Sequence, residues 1–308
     1  MLKFVRPASP GTRVSRRASM RPGAWASSKK STAVRPDLQS TRATWSRTVF
    51  ERQPFGVFSL LWCLFLFVAL HGTAEAQWRR GEVAKFVDGD TLILDSGETI
   101  RLAGINTPEM ATDSRPAEPL AHEAHKVLAA QLADRQVLIE DAPQRLDRYG
   151  RTLAYLFRSD GASVQEALLR EGLASTVAIA PNDHYLDQFF QAEQAAHRAE
   201  RGIWSVEYYM PASANKVRGG YQFVRARLSR IEIGKKWFVF SVEKDLVILV
   251  RRTAWESRFD YSPGTLDQAR IAVRGWFSKK KTRATLVINH PFMLERCGID
   301  PQRLCNNN

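Results

Sequence analysis

GEVAKFVDGDTLILDSGETIRLAGINTPE, residues 81–109, decides the fold class. GEVAKF, TLIL and TIRLAGI are short runs with the apolar and β-branched content of strands, bounded by turn residues. Asp95, Ser96, Gly97 and Glu98 supply hairpin-turn residues between the second and third runs. Three strands this close together predict a meander. Downstream, the pattern predicts a helix over about 119–134 and strands QVLIED (136–141) and TLAYLF (152–157), separated by the polar link APQRLDRYGR. Helices are expected at about 163–170 and 185–201, the last stopped by Gly202. The order fits a mainly β domain with α over 77–207: a five-stranded barrel carrying three helices.

Residues 208–220, YYMPASANKVRGG, read as a linker by their Pro, Ser, Asn and Gly content. Beyond them YQFVRARLSRIEI, KWFVFSV, DLVILV, ARIAVRGWF and ATLVINH predict five more strands, with a short helix near 263–268. A second, smaller barrel over 221–308 is expected. No sequence repeat relates it to the first.

The chain of 308 residues, 44% hydrophobic, is long enough for two buried cores. Its net charge of +13 is unevenly spread. Residues 77–207 hold 14 basic and 21 acidic side chains, whereas 208–308 hold 19 and 8. A polyanion is therefore expected mainly on the C-terminal segment, the alternative being a merely solvated basic face. No Cys/His cluster has zinc spacing; HEAH at 122–125 falls short of H-E-x-x-H, and His122 and His125 read as surface residues.

Phe55 to Leu70 is an apolar run followed by HGTAEA, whose Ala74 and Ala76 form an A-x-A pattern. Residues 55–76 thus read as a signal peptide cleaved after Ala76, giving a secreted or periplasmic protein. The alternative is an uncleaved anchor that keeps 55–70 in the membrane with the remainder outside the cytoplasm. Residues 1–54, rich in Arg, Ser, Thr and Pro, are expected to be disordered and basic. Initiation at Val49 would leave an ordinary signal peptide, so a mis-assigned start is the preferred reading. Of three cysteines Cys63 lies in the apolar run; Cys297 and Cys305 form a disulfide or stay as two thiols, both readings being open.

Three separated stretches carry the residues of interest: VDGDT with Asp88 and Asp90, RLAGINTPE with Arg101, Thr107 and Glu109, and RLDRYGR with Asp147, Arg148, Tyr149 and Arg151. Together they match what phosphodiester hydrolysis demands. Negative charge grows on the phosphoryl oxygens as the five-coordinate transition state forms. Guanidiniums, always charged and able to donate paired hydrogen bonds, suit those oxygens. A hard divalent cation takes oxygen ligands, and a further carboxylate can position or deprotonate water.

In this order and at these intervals the stretches resemble the staphylococcal nuclease (thermonuclease) family over about 81–205, with LAY, EALLREGLA and GIW as further hallmarks. The resemblance implies an OB-type barrel with helices and calcium-dependent cleavage of DNA and RNA, leaving 3′-phosphates. Carried over by motif, Asp90 and the Thr107 carbonyl would bind Ca2+, Arg101 and Arg151 would grip the scissile phosphate, and Glu109 would activate water. Asp147 and Tyr149 would shape the nucleotide pocket, and Arg148 would contact phosphate. Asn106 stands where the family motif reads Asp, so its amide oxygen is the expected, uncharged third ligand. STVAIAPND lacks the tyrosines that family members place against the base, which implies weaker stacking.

In YQFVRARLS, strand alternation puts Tyr221, Phe223, Arg225 and Arg227 on one face, and WFSKKKTR adds a basic hairpin tip at Lys279, Lys280 and Lys281. These are candidate nucleic-acid contacts; the alternative is that the aromatics are core and the lysines keep an edge soluble. The expectation is a monomeric, exported, calcium-dependent nuclease, without sequence specificity, with an appended basic OB-like module. Two rivals stay open: a nucleic-acid-binding protein with a degenerate centre, and a membrane-anchored envelope protein.

Overall fold

The runs around residue 90 become three antiparallel strands: β1 (Arg79–Phe86), β2 (Thr91–Leu94) and β3 (Thr99–Leu102). The computed structural model describes residues 78–242, 246–281, 283–300 and 304–305. The expected basic stretch 1–54, and the apolar run with its cleavage site at 55–76, lie outside the described residues.

After the two-residue β4 (Ile105–Asn106) and helix α1 (Ala121–Gln131), β5 (Gln136–Leu146) pairs with β1, and β6 (Thr152–Phe157) inserts between β5 and β3. The β3–β6 pair is parallel and closes a barrel in the order β1-β2-β3-β6-β5. Parallel neighbours need a crossover, and the segment containing α1 supplies it. Leu92, Ile100, Leu102, Ile139 and Leu156 fill the barrel, covered by Leu128 of α1, Leu168 and Leu169 of α2 (Val164–Arg170) and Phe189 of α3 (Leu186–Arg198). Each such fully buried side chain contributes about 1.5–3 kcal/mol relative to exposure. The start of α2 follows its sequence signal, Ser163 Oγ accepting the Glu166 N–H.

APQRL, expected as part of a polar link, instead prolongs β5. Leu146 pairs with Thr152 beyond an irregularity after Asp141. Where the ladder is interrupted, the Asn182 side chain replaces a strand neighbour: its Oδ1 accepts the Gln144 N–H and its Nδ2 donates to the Gln144 carbonyl.

The second set comprises β9 (Gly220–Ile233), β10 (Trp237–Val242), β11 (Leu246–Arg251), β12 (Arg270–Lys280) and β13 (Arg283–Ile288). These pair in the order β9-β10-β11-β13-β12, and a β12–β9 ladder closes the ring. Again the third and fifth strands, β11 and β13, are parallel. Both barrels are wound alike, so the chain carries two OB-type barrels in tandem. The helix between third and fourth strands, α4 (Arg252–Arg258), was not anticipated; it buries Trp255 against Phe238, Phe240 and Phe259. The helix expected near 263–268 is a single 3-10 turn, Pro263–Leu266.

The expected linker at 208–220 is built into the structure. Tyr209 Oη donates to the Pro119 carbonyl, Ala214 and Val217 are buried, and β8 (Ala212–Ser213) pairs in parallel with β9. Nor are the barrels independent. Phe189 of α3 faces the first core, while Leu186 and Phe190 pack on the second. Glu193 of α3 forms a fully buried ion pair with Arg274 of β12, Nη1 to Oε1 at 2.8 Å, with side chains 1% and 0% exposed. Ile203 and Trp204 join Phe223, Ala272 and Leu304 in a third cluster.

The face expected to present Tyr221, Phe223, Arg225 and Arg227 to nucleic acid is mostly used internally. Phe223 is core, because β12 covers it in the closed barrel. Arg225 Nε donates to the Leu304 carbonyl at 2.6 Å, beside the Cys297–Cys305 disulfide, and Glu295 accepts the Leu304 and Cys305 N–H groups. Arg227 is exposed.

Candidate active site

VDGDT turns tightly because Gly89 has no side chain: an added Cβ would come within 2.6 Å of Ala124 Cβ on α1 and 2.8 Å of Thr107 Oγ1. That close approach delivers Asp90 to the end of β3. Gly104, at φ +80°, then bends the chain from β3 into β4, which pairs with β7 (Ser175–Thr176), Asn106 opposite Ser175. Asp90, Arg101, Asn106, Thr107 and Glu109 thereby become neighbours.

Asp90 is buried. Its Oδ2 lies 2.9 Å from Arg101 Nη2 and accepts the Thr107 N–H at 2.9 Å, and Thr91 Oγ1 donates to its Oδ1 at 3.3 Å. Burial pushes its carboxyl up to about 6, outweighing the neighbouring Arg101 guanidinium. Both Nη groups of Arg101 are engaged: Nη1 donates to the Leu102 and Ile105 carbonyls, and Nη2 reaches Asp90 and Asn106 Oδ1. Glu109, half-buried, is also raised, by burial first and then by the negative charge of Asp90. Such a shift moves a candidate base towards working pH.

Asp90, Asn106 Oδ1 and the Thr107 carbonyl form an all-oxygen donor set, which fits a hard divalent cation. Asn106 Nδ2 donates to the Thr107 carbonyl at 3.1 Å, which turns the amide oxygen towards Arg101.

Arg151 sits apart from this hydrogen-bonded group. It precedes β6 by one residue, and Leu153 is the ladder partner of Arg101, so continued alternation puts Arg151 on the Arg101 face. Its Nε donates to Asp147 Oδ2 at 2.8 Å, while its Nη groups make no hydrogen bond among the described residues. Asp147 also accepts the Tyr149 and Arg151 N–H groups. Burial opposes its charge, yet these bonds hold its carboxyl below the ordinary value. Tyr149 is 68% exposed, with the Arg148 guanidinium 4.7 Å from its ring centroid. The more distant Lys280 and Lys281 are exposed, and Lys279 Nζ donates to the Val217 carbonyl at 2.7 Å.

Sequence reasoning passed over three contributors. Glu118 accepts the Glu109 N–H at Oε2, and Arg115 approaches Glu109 at 3.8 Å; neither belongs to a periodic pattern. The Glu193–Arg274 pair did leave a signal: each charge interrupts an apolar face, one on a helix, the other in ARIAVRGWF. Glu193 Oε2 accepts the Thr176 N–H, so the pair holds the strand against which Asn106 is laid.

An OB-type barrel that gathers oxygen donors, a part-buried arginine and a raised carboxyl near the end of β3 has the groups that phosphodiester hydrolysis requires. The staphylococcal nuclease homologue profile matches residues 99–206. Thermonuclease of Staphylococcus hyicus is 34% identical over 137 residues, 44% of this chain and 80% of the relative. Thermonuclease of Staphylococcus intermedius is 35% identical over 131 residues, covering 41% and 77%. Endonuclease YncB of Bacillus subtilis (strain 168) is 37% identical over 129 residues, covering 40% and 61%. The chain belongs to the staphylococcal nuclease family and is a nuclease of that type. The second barrel lies beyond the matched profile.

Proposed function

We propose that the protein is an exported, calcium-dependent nuclease that hydrolyses DNA and RNA without sequence specificity. The observation that carries this reading is the cluster of Asp90, Arg101, Asn106, Thr107 and Glu109, joined by hydrogen bonds and mutual charge. Asp90, Asn106 and Thr107 would hold the calcium ion, which when bound supplies positive charge to the phosphate. Arg151 offers free Nη donors to the phosphoryl oxygens, and Asp147 fixes the direction of its guanidinium. Arg101 reaches the same oxygens by exchanging Asp90 and Asn106 for substrate at Nη2, while Nη1 stays anchored on two backbone carbonyls. Glu109, its carboxyl raised, takes a proton from the attacking water, and Glu118 fixes its backbone. Tyr149 supplies a stacking face for a base.

Export is supported by the A-x-A pattern after the apolar run and by the Cys297–Cys305 disulfide, a bond suited to oxidising compartments. The decisive experiment incubates the purified protein with denatured DNA and with RNA, in calcium or in chelator. Arg151→Ala and Glu109→Gln serve as controls. Cleavage of both polymers in calcium alone, lost in the variants, is expected; undiminished cleavage in chelator overturns the calcium assignment. Terminal mass analysis of the mature protein checks removal of residues 1–76.

A further inference from the structure

A cleft of about 600 Å³ adjoins the candidate centre. Asn106, Thr107 and Glu118 line it from the nuclease barrel, and Tyr208, Lys216 and Arg218 from the segment leading into the second barrel. We propose that this cleft binds the single-stranded polynucleotide flanking the scissile phosphate, Lys216 and Arg218 taking phosphates and Tyr208 a base. The proposal rests on the nuclease reading and adds a subsite built by residues beyond the matched family region.

The cleft is prepared for such a ligand. Its volume falls within the range of about 300–1,000 Å³ that suits a small ligand, room for a nucleotide rather than a duplex. The Arg218 guanidinium lies 3.9 Å over the Tyr208 ring, and its Nη2 donates to the Tyr208 carbonyl. Tyr208 Oη donates to Glu118 Oε1, and the other oxygen of Glu118 holds the Glu109 N–H. The aromatic platform is therefore tied to the backbone of the candidate base. Glu118 and Glu207 also bring negative charge to the lining, Glu118 held back against Tyr208 and the Glu109 N–H, while Lys216 and Arg218 are exposed to meet phosphates. The Lys279 bond to the Val217 carbonyl brings the strand carrying the basic hairpin next to the segment that bears Lys216 and Arg218. A guanidinium and an ammonium beside an aromatic face are what a sequence-tolerant single-strand site requires.

The test uses the full-length protein, Lys216→Ala/Arg218→Ala and Lys216→Ala alone. Binding of a fluorescent single-stranded 12-mer is followed by anisotropy in chelator across salt concentrations, and cleavage of the 12-mer and of a dinucleotide is followed in calcium. The double variant is expected to bind the 12-mer more weakly, with a salt slope shallower by about 1.4, two phosphate contacts at about 0.7 each. Lys216→Ala, an exposed change that spares the fold, should remove about 0.7. KM on the 12-mer should rise with kcat and dinucleotide turnover unchanged. An unaltered slope in both variants, or equal losses on 12-mer and dinucleotide, overturns the subsite. Wild-type protein that binds the 12-mer in the expected manner but never cleaves it overturns the nuclease reading instead.

Discussion

Asn106 contributes an amide oxygen where a carboxylate would add a full charge, and in this structure that oxygen also accepts from Arg101. Asn106→Asp should therefore lower the calcium concentration needed for half-maximal activity; an unchanged titration midpoint would count against Asn106 as a ligand. Asp90 predicts a pH effect. Its folded value of about 6 exceeds the ordinary 3.8, so the folded chain binds more protons than the unfolded one between about pH 4 and 6. In chelator, its contribution to stability is full below about pH 4 and lost as pH rises through 6. Melting temperature against pH should show that fall, and Asp90→Asn should flatten it. Arg101 and Glu109 were legible from their spacing on β3 and the chain after it, and Asp90 from the VDGDT turn that the β2–β3 hairpin lays beside them. Glu118 was not, because its role depends on a backbone N–H nine residues away and a tyrosine ninety residues away. The bond of Arg225 to the Leu304 carbonyl was not legible, because alternation gives a face but not what covers it.

Helix α3 serves two cores, and its Glu193 is the buried point at which they meet in charge, Asp183 with Arg258 being a more exposed one. Arg274→Met should destabilise by about 3–5 kcal/mol, because a buried carboxylate is left unpaired. Adding Glu193→Gln, which keeps an acceptor for the Thr176 N–H, should recover much of that loss. Urea unfolding of the two variants measures it, and equal stability of single and double variants would remove the pair's role. Since Thr176 pairs with the strand carrying Asn106, Arg274→Met should also weaken the calcium response. Short apolar runs bounded by turn residues, some alternating and some continuous, made the ten barrel strands readable. The extension of β5 was hidden because Asn182, distant in sequence, completes its hydrogen bonds. Helix α4 was missed because its seven residues are too few to show a helical period, and its position is set by Trp255 packing.

Taken as one body, residues 78–308 do not separate into a nuclease and a detachable tether. The charge imbalance and the apparent linker suggested that separation; composition says nothing of Leu186, Phe190, Ile203 and Trp204 packing across the joint. Removing 208–308 should therefore leave a fragment that aggregates or unfolds and loses turnover on a dinucleotide as much as on long DNA. A soluble fragment active on dinucleotides would overturn this. At the other end, Cys297 and Cys305 are eight residues apart, and reduction should cost about 2.5 kcal/mol by loop-closure entropy, measured by unfolding with and without reductant.

Eighty-one residues separate Glu193 from Arg274. While the chain is being synthesised, Glu193 therefore emerges before Arg274, the cation it meets in the folded protein. Glu193 in turn accepts the Thr176 N–H of the strand laid against Asn106, so that contact should be firm only once Arg274 is in place. Stalled nascent chains that end before Arg274 should therefore be cut by a protease faster than chains that extend past it.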